Sequence, residues 1–312
     1  MTVAKAVYDM KLWMILGIVC AFIIGPVGDI SSSVLVIVLI IQMTISMDGL
    51  SFSAESIKNN KRPVLFSVLA CFGISTAVTL LVGLFFITYR PEIWNGWVIL
   101  AAVPCAVSVV TMSFLVRGNT TMCVLSLAAI YIIALLLTPL IILALIGESV
   151  SIIRVFLYVL LFVAVPMAAS VPMKKVKIGR NIRVVSINIM IFAMAVLSLG
   201  QNREYIFSEP WTAVLVILAC FIRIFAVGFV MLYILKKCGS SRDNSMVYIP
   251  MAVWKNSGLG IALCLAAVGT ASETALPCAI SMLIEMLWFA VVTNRIEKSW
   301  PVSRDTSVSV NG

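Results

Sequence analysis

Three ionisable residues, Arg223, Lys255 and Glu285, lie deep in apolar runs of this sequence. A charge at the centre of a bilayer costs about 2.5–3.5 kcal/mol on insertion scales, so such groups face protein or water and are paired. Two cations and one carboxylate leave one positive charge, which an anionic solute would balance. Lys255 is set apart by its context. It opens the stretch Lys255-Asn256-Ser257-Gly258-Leu259-Gly260, where polar residues and two glycines stand in place of the Leu of a lipid-facing helix. An earlier run reads Ala101-Ala102-Val103-Pro104-Cys105-Ala106-Val107-Ser108. Its proline removes a backbone donor and clashes with the preceding turn. Both stretches predict an interrupted helix. The N-terminus of a half-helix presents free N–H groups that favour an anion, and the C-terminus of its partner half presents carbonyls that favour a cation. The candidate binding residues are therefore Pro104, Cys105, Ser108 and Thr111 on one interruption and Lys255, Asn256, Ser257 and Gly258 on the other, with Arg223 and Glu285 beside them.

The Lys255 ammonium has two chemical options. It can bond carbonyls freed at a helix end, as a bound cation would. Alternatively, desolvation can lower its pKa and let it release a proton. For Arg223 and Glu285, a packing pair without further role is as good a reading as a functional one. Other chemistries lack their residues. The chain has no histidine, which removes His-based acid/base catalysis and His metal ligation. Its eight cysteines include no C-x-x-C pair, so no disulfide framework, zinc site or other cofactor is expected. Paired carboxylates, a nucleophile–base set, an HEXXH motif and a Gly-rich phosphate loop are likewise missing from the sequence, so no enzyme is expected.

The elements that position these residues follow from composition. Of 312 residues, 62% are hydrophobic and 11% charged, against roughly 45–50% and about 25% in soluble domains. Such a chain predicts an all-α membrane protein. Ten apolar spans fall at 9–27, 32–50, 64–88, 95–116, 120–145, 151–170, 182–200, 210–235, 245–267 and 274–294. They are too long for strands and lack period-two alternation. The first is read as a retained helix rather than a signal peptide. Seventeen Lys and Arg residues lie in the N-terminal segment, the even-numbered connections and the C-terminus, against Arg90, Arg154 and Arg203 on the other side. The positive-inside rule then puts both termini in the cytoplasm of a plasma or inner membrane protein. The net charge of +9 thus reflects topology and a weak attraction to anionic lipid, not nucleic acid.

Six spans precede the basic connection 171–183 and four follow it, and ten spans divided five and five predict two inverted five-helix repeats. Residues 1–170 hold the first repeat and the sixth span, 184–298 the remaining four, and 299–312 a disordered cytoplasmic tail. Both interruptions occupy the fourth span of their repeat. That matching placement is the pattern of a binding site at the membrane midplane.

At these residues the chain resembles the bile acid:sodium symporter superfamily. Lys255-Asn256-Ser257-Gly258-Leu259 is similar to the family's Gln-Asn-Ser-Gly-Leu, and Pro104 through Leu115-Val116-Arg117-Gly118-Asn119 to its fourth-helix stretch. Met47-Asp48-Gly49-Leu50, Lys61-Arg62-Pro63 and Leu137-Thr138-Pro139 match in order and spacing. The resemblance implies a core of helices 3–5 and 8–10, with helices 4 and 9 crossing, beside a panel of helices 1, 2, 6 and 7. It implies a secondary carrier of a small organic anion such as a bile-acid-like steroid, pantothenate or a keto acid, working by alternating access. Departures from the family pattern bear on coupling. Its sodium-binding Ser-Asn aligns with Val109-Val110, its Glu with Met251 and its Gln with Lys255, while the Ser/Thr positions of its fifth helix fall near Ala129 and Tyr131. The expectation is that two-sodium coupling is lost, leaving proton coupling or uniport. Two other readings stand beside this one. One is a metalloid exporter using Cys105, and the other a non-transporting sensor or partner subunit on a carrier fold.

Overall fold

Lipid offers no hydrogen bonds to a backbone, so apolar runs of this length must satisfy themselves as helices. A computed structural model describes residues 7–26, 31–47, 60–116, 118–147, 152–173, 179–265 and 272–300, and these are helical apart from their connections and one isolated bridge. The elements are α1 (Met10–Ile24), α2 (Ser31–Met47), α3 (Lys61–Gly83), α4 (Pro91–Ala102), α5 (Val109–Leu115), α6 (Thr120–Ile146), α7 (Ile152–Met173), α8 (Arg180–Ser208), α9 (Pro210–Lys237), α10 (Arg242–Val253), α11 (Ser257–Leu263) and α12 (Ser272–Ser299). Among the described residues, five helical segments are long and apolar enough to cross a membrane: Lys61–Gly83, Thr120–Ile146, Val155–Pro172, Asn181–Ser208 and Pro210–Lys237. Large apolar side chains cover the perimeter, and Leu81, Leu136, Ile153, Ile182 and Trp211 each expose more than half of their surface. Water would not tolerate that perimeter, whereas lipid does. The protein is a multi-pass, all-α membrane protein.

Packing divides along two lines. Helix α8 lies against α1 and α2, and α7 against α2. Helix α4 packs on α3, α6 and α12, while α9 packs on α10 and α12. Small residues allow the closest approaches, since apolar side chains gain little by leaving lipid for each other. A Cβ on Gly17 of α1 would stand 2.8 Å from Ala195 Cβ of α8. A Cβ on Gly96 of α4 would collide with the carbonyl of Thr274 and the ring of Pro277 in α12.

Two features depart from the sequence expectation. Helix α8 continues to Ser208, past the predicted end at 200. The polar run Gln201-Asn202-Arg203-Glu204 reads as an exit from the bilayer, yet Asn202 is buried and its Nδ2 donates to Ser198 O at 2.8 Å. Gln, Arg and Glu are also good helix formers. In α3 the turn Leu69–Ser75 is wound as a π-helix. Residues 174–178 of the basic connection and 301–312 of the tail lie outside the described residues, as do Asp48, Gly49, Leu50 and Arg117. Trp300, at the start of the predicted tail, is anchored: its carbonyl accepts from Arg242 Nε at 3.1 Å and its indole N–H donates to Ser240 O at 3.3 Å.

Candidate functional site

The fourth and ninth apolar spans are each broken. Helix α4 stops at Ala102, Val103 is extended (φ −70°, ψ 150°), and α5 begins at Val109. Helix α10 stops at Val253, Trp254 is extended (φ −96°, ψ 100°), and α11 begins at Ser257. The two extended segments pair with each other. Ala106 N donates to Trp254 O at 3.1 Å and Asn256 N to Pro104 O at 2.7 Å, an antiparallel bridge centred on Cys105 and Lys255. Each break thereby supplies partners for backbone groups that lipid would leave unpaired.

Pro104 has no N–H to give, so the last carbonyls of α4 are free for side chains. Thr138 Oγ1 of α6 donates to Ala102 O at 2.8 Å. The buried Lys255 side chain takes the neighbouring carbonyls. Its Nζ donates to Ala101 O at 2.9 Å, Val103 O at 3.0 Å and Cys71 O at 3.0 Å, and lies 3.2 Å from Thr76 Oγ1. The Phe72 ring centroid is 5.3 Å away, within cation–π range. Cys71 and Phe72 lie in the π-turn of α3, a type of distortion that recurs at functional sites. Thr76 donates its own proton to Ala101 O at 2.8 Å, so it presents a lone pair to the amine. The four hydrogen-bond partners of Nζ all act as acceptors toward it. A neutral amine would turn its lone pair toward oxygen, so this shell fits the ammonium form.

Glu285 of α12 fastens the break from the other side. Its Oε1 accepts from Arg223 Nη2 at 2.7 Å, from Ser281 Oγ at 3.1 Å and from the Lys255 backbone N at 3.2 Å. Arg223 Nη2 also reaches Ser281 Oγ at 2.5 Å. Arg223 and Glu285 are both completely buried, and their charges cancel. The three intramembrane charges therefore meet in one network, with the Lys255 ammonium pointing away from Glu285 toward α3 and α4.

Asn256 caps α11 by accepting from Leu259 N at 3.0 Å, and its Nδ2 donates to Tyr131 OH at 2.9 Å. Met43 Sδ of α2 is 3.9 Å from the same nitrogen. Ser257 Oγ is buried and makes no hydrogen bond with the protein. A Cβ on Gly258 would stand 2.8 Å from Met194 Cε and 3.2 Å from Leu39 Cδ1, so α8 and α2 press on the α11 end of the break. The Cys105 thiol meets that of Cys71. Ser108 is half-buried in the turn before α5. Thr111 is helical, but its side chain lies outside the described ones. Val109 and Met251 are fully buried and apolar. A sodium ion takes oxygen ligands, and these side chains offer none.

Sequence reasoning passed over four contributors. Cys71 lies in a π-turn that no residue pattern announces, and Thr76 directly follows it. Thr138 and Tyr131 stood in the matched or aligned stretches without a role. A hydroxyl in an apolar span is the available signal, because it must find a partner.

A multi-pass helical protein with charged and polar groups gathered at paired helix breaks inside its bundle has the architecture of a membrane transporter. The chain belongs to the Sodium Bile acid symporter family, whose sequence profile matches residues 33–209. The matched stretch contains the first break and ends before Arg223, Lys255 and Glu285. Among curated proteins none matches this chain. Membership of a family of transporters makes this protein a transporter rather than an enzyme.

Proposed function

We propose that this protein is a secondary carrier for a small organic anion and that the Lys255 ammonium stands in it as a resident cation, replacing the usual sodium coupling. The observation that carries the reading is the four-oxygen shell around Nζ at the two paired breaks. A protonated amine fixed there does the electrostatic work of a bound alkali ion, holding the carbonyl end of α4 against α3 and α10. The shell argues against proton release by Lys255 during the cycle, since deprotonation would set a lone pair against oxygens. The apolar Val109 and Met251 argue against sodium at the places where the family resemblance puts its ligands.

In this reading the ten spans form two inverted repeats. Helices α1, α2, α7 and α8 make the panel, and the others make the core that rocks against it, with both termini in the cytoplasm. The buried Ser257 hydroxyl is a donor left for solute beside the break. A second reading, export of a soft metalloid, draws on the contact between the Cys71 and Cys105 thiols, because soft thiophilic species prefer sulfur.

The test is a thermal-shift screen of the purified protein against organic acids, in sodium and in potassium buffers. A ligand that binds only the native state raises the melting temperature by mass action. A stabilising acid with equal effect in both buffers is expected. Stabilisation that requires sodium would overturn the resident-cation assignment, and unaltered arsenite tolerance on expression would dispose of the metalloid reading.

A further inference from the structure

Among the described residues, the buried formal charges are Arg223, Lys255 and Glu285. Arg223 and Glu285 neutralise each other at 2.7 Å. Lys255 is different. Its ammonium is held by three carbonyls and a hydroxyl, and the contact of Glu285 is with its backbone amide. Carbonyl dipoles satisfy the protons of an ammonium, but they leave its unit charge in place. All four oxygens belong to α3, α4 and the first break, so they travel with Lys255 in any motion of that group of helices.

The described contacts of α2 and α8 with the second break are made by apolar side chains. Met43 of α2 touches Asn256, while Leu39 of α2 and Met194 of α8 press on Gly258. A core that moves along these two helices carries one uncompensated positive charge when empty. With a monovalent anion bound at the break, the moving unit is neutral. Moving an uncompensated charge through a low-dielectric barrier is slow, and Met43, Leu39 and Met194, the described side chains of α2 and α8 that touch the break, carry no counter-charge.

We propose that this protein is an anion exchanger: the core reorients readily only with an organic anion bound, so inward movement of one anion requires outward movement of another. The inference rests on the carrier reading above and adds its mode. The fixed charge of Lys255 is the device that suppresses return of the empty carrier. A net drive for accumulation then comes from the gradient of the counter-anion, not from a co-transported cation.

The test uses the full chain in proteoliposomes with the membrane potential clamped to zero. Uptake of radiolabelled taurocholate, pantothenate and pyruvate is measured, each into vesicles preloaded with the same unlabelled anion or with buffer alone. For at least one probe, initial uptake into preloaded vesicles is expected to be faster by roughly 70- to 400-fold, the slowing that one unpaired intramembrane charge implies. In Lys255→Met the difference between preloaded and empty vesicles should shrink or vanish. Equal uptake into both kinds of vesicle by the native protein would overturn the exchange inference while leaving the carrier reading intact. An unchanged preloading effect in Lys255→Met would overturn the role given to its charge. If none of the three probes enters either kind of vesicle, the carrier reading falls and the exchange inference falls with it.

Discussion

An ammonium group has three protons, and Lys255 meets four oxygens. Removing it leaves buried carbonyls without a donor, at roughly 1–3 kcal/mol for each unmade bond. Lys255→Ala is therefore expected to lower the melting temperature of the purified protein sharply. Methylammonium or sodium at high concentration should restore part of the loss in this variant and change the native protein little. Equal responses of the two proteins would show that the shell does not act as a cation cradle. As an intramembrane charge within a run of polar and glycine residues, Lys255 was legible in the sequence. The direction of its side chain was not. Its partners are mostly main-chain carbonyls, and carbonyls carry no sequence signature. The same limit applies to Glu285, whose pairing with Arg223 could be guessed from complementary charge. Its bond to the Lys255 amide depends on how α12 lies beside the break.

Helix breaks were the most legible elements. Pro104 and the Asn256-Ser257-Gly258 stretch interrupt two apolar runs, and α4, α5, α10 and α11 end or begin around them. Apolar length located the other helices for the same reason, because hydrophobic runs report burial in lipid directly. The π-turn of α3 escaped, since its winding answers to the groups packed on it and not to local propensity. The extension of α8 escaped because the polar residues after Gly200 lie inside the bundle or along its edge. Close packing between elements is where small changes should matter most. A methyl added at Gly96 meets main chain and a proline ring, neither of which can swing aside. Gly96→Ala should cost about 1–3 kcal/mol by overpacking. Thermal unfolding in detergent checks this, and an unchanged melting temperature would mean that α4 and α12 can separate without penalty.

At the scale of the whole molecule, charge and exposure set orientation. Arg90 and Glu209 pair at 2.9 Å where the turns α3–α4 and α8–α9 meet, on the side poorer in basic residues. The Glu209 carboxylate raises the pKa of that guanidinium further, so the pair holds its charge on the arginine side at any ordinary pH. On the opposite side, Cys238 follows Lys236 and Lys237 and is exposed, while Cys71, Cys105, Cys123, Cys220, Cys264 and Cys278 are buried. A membrane-impermeant maleimide should label Cys238 in inside-out vesicles and spare it in intact cells. Labelling from the outside would reverse the proposed topology. The overall class was readable from composition, because 62% hydrophobic residues cannot cover a water-soluble surface.

The bridge between the two breaks also has a signature in time. The amides of Ala106 and Asn256 belong to no helix, yet each is tied across to the other segment. Deuterium should enter these two positions as slowly as it enters the centre of a long helix, and their protection should persist during turnover if the crossing moves as one body. A pair of non-helical peptides that stay dark to heavy water would serve as a built-in clock for whether the crossing ever comes apart.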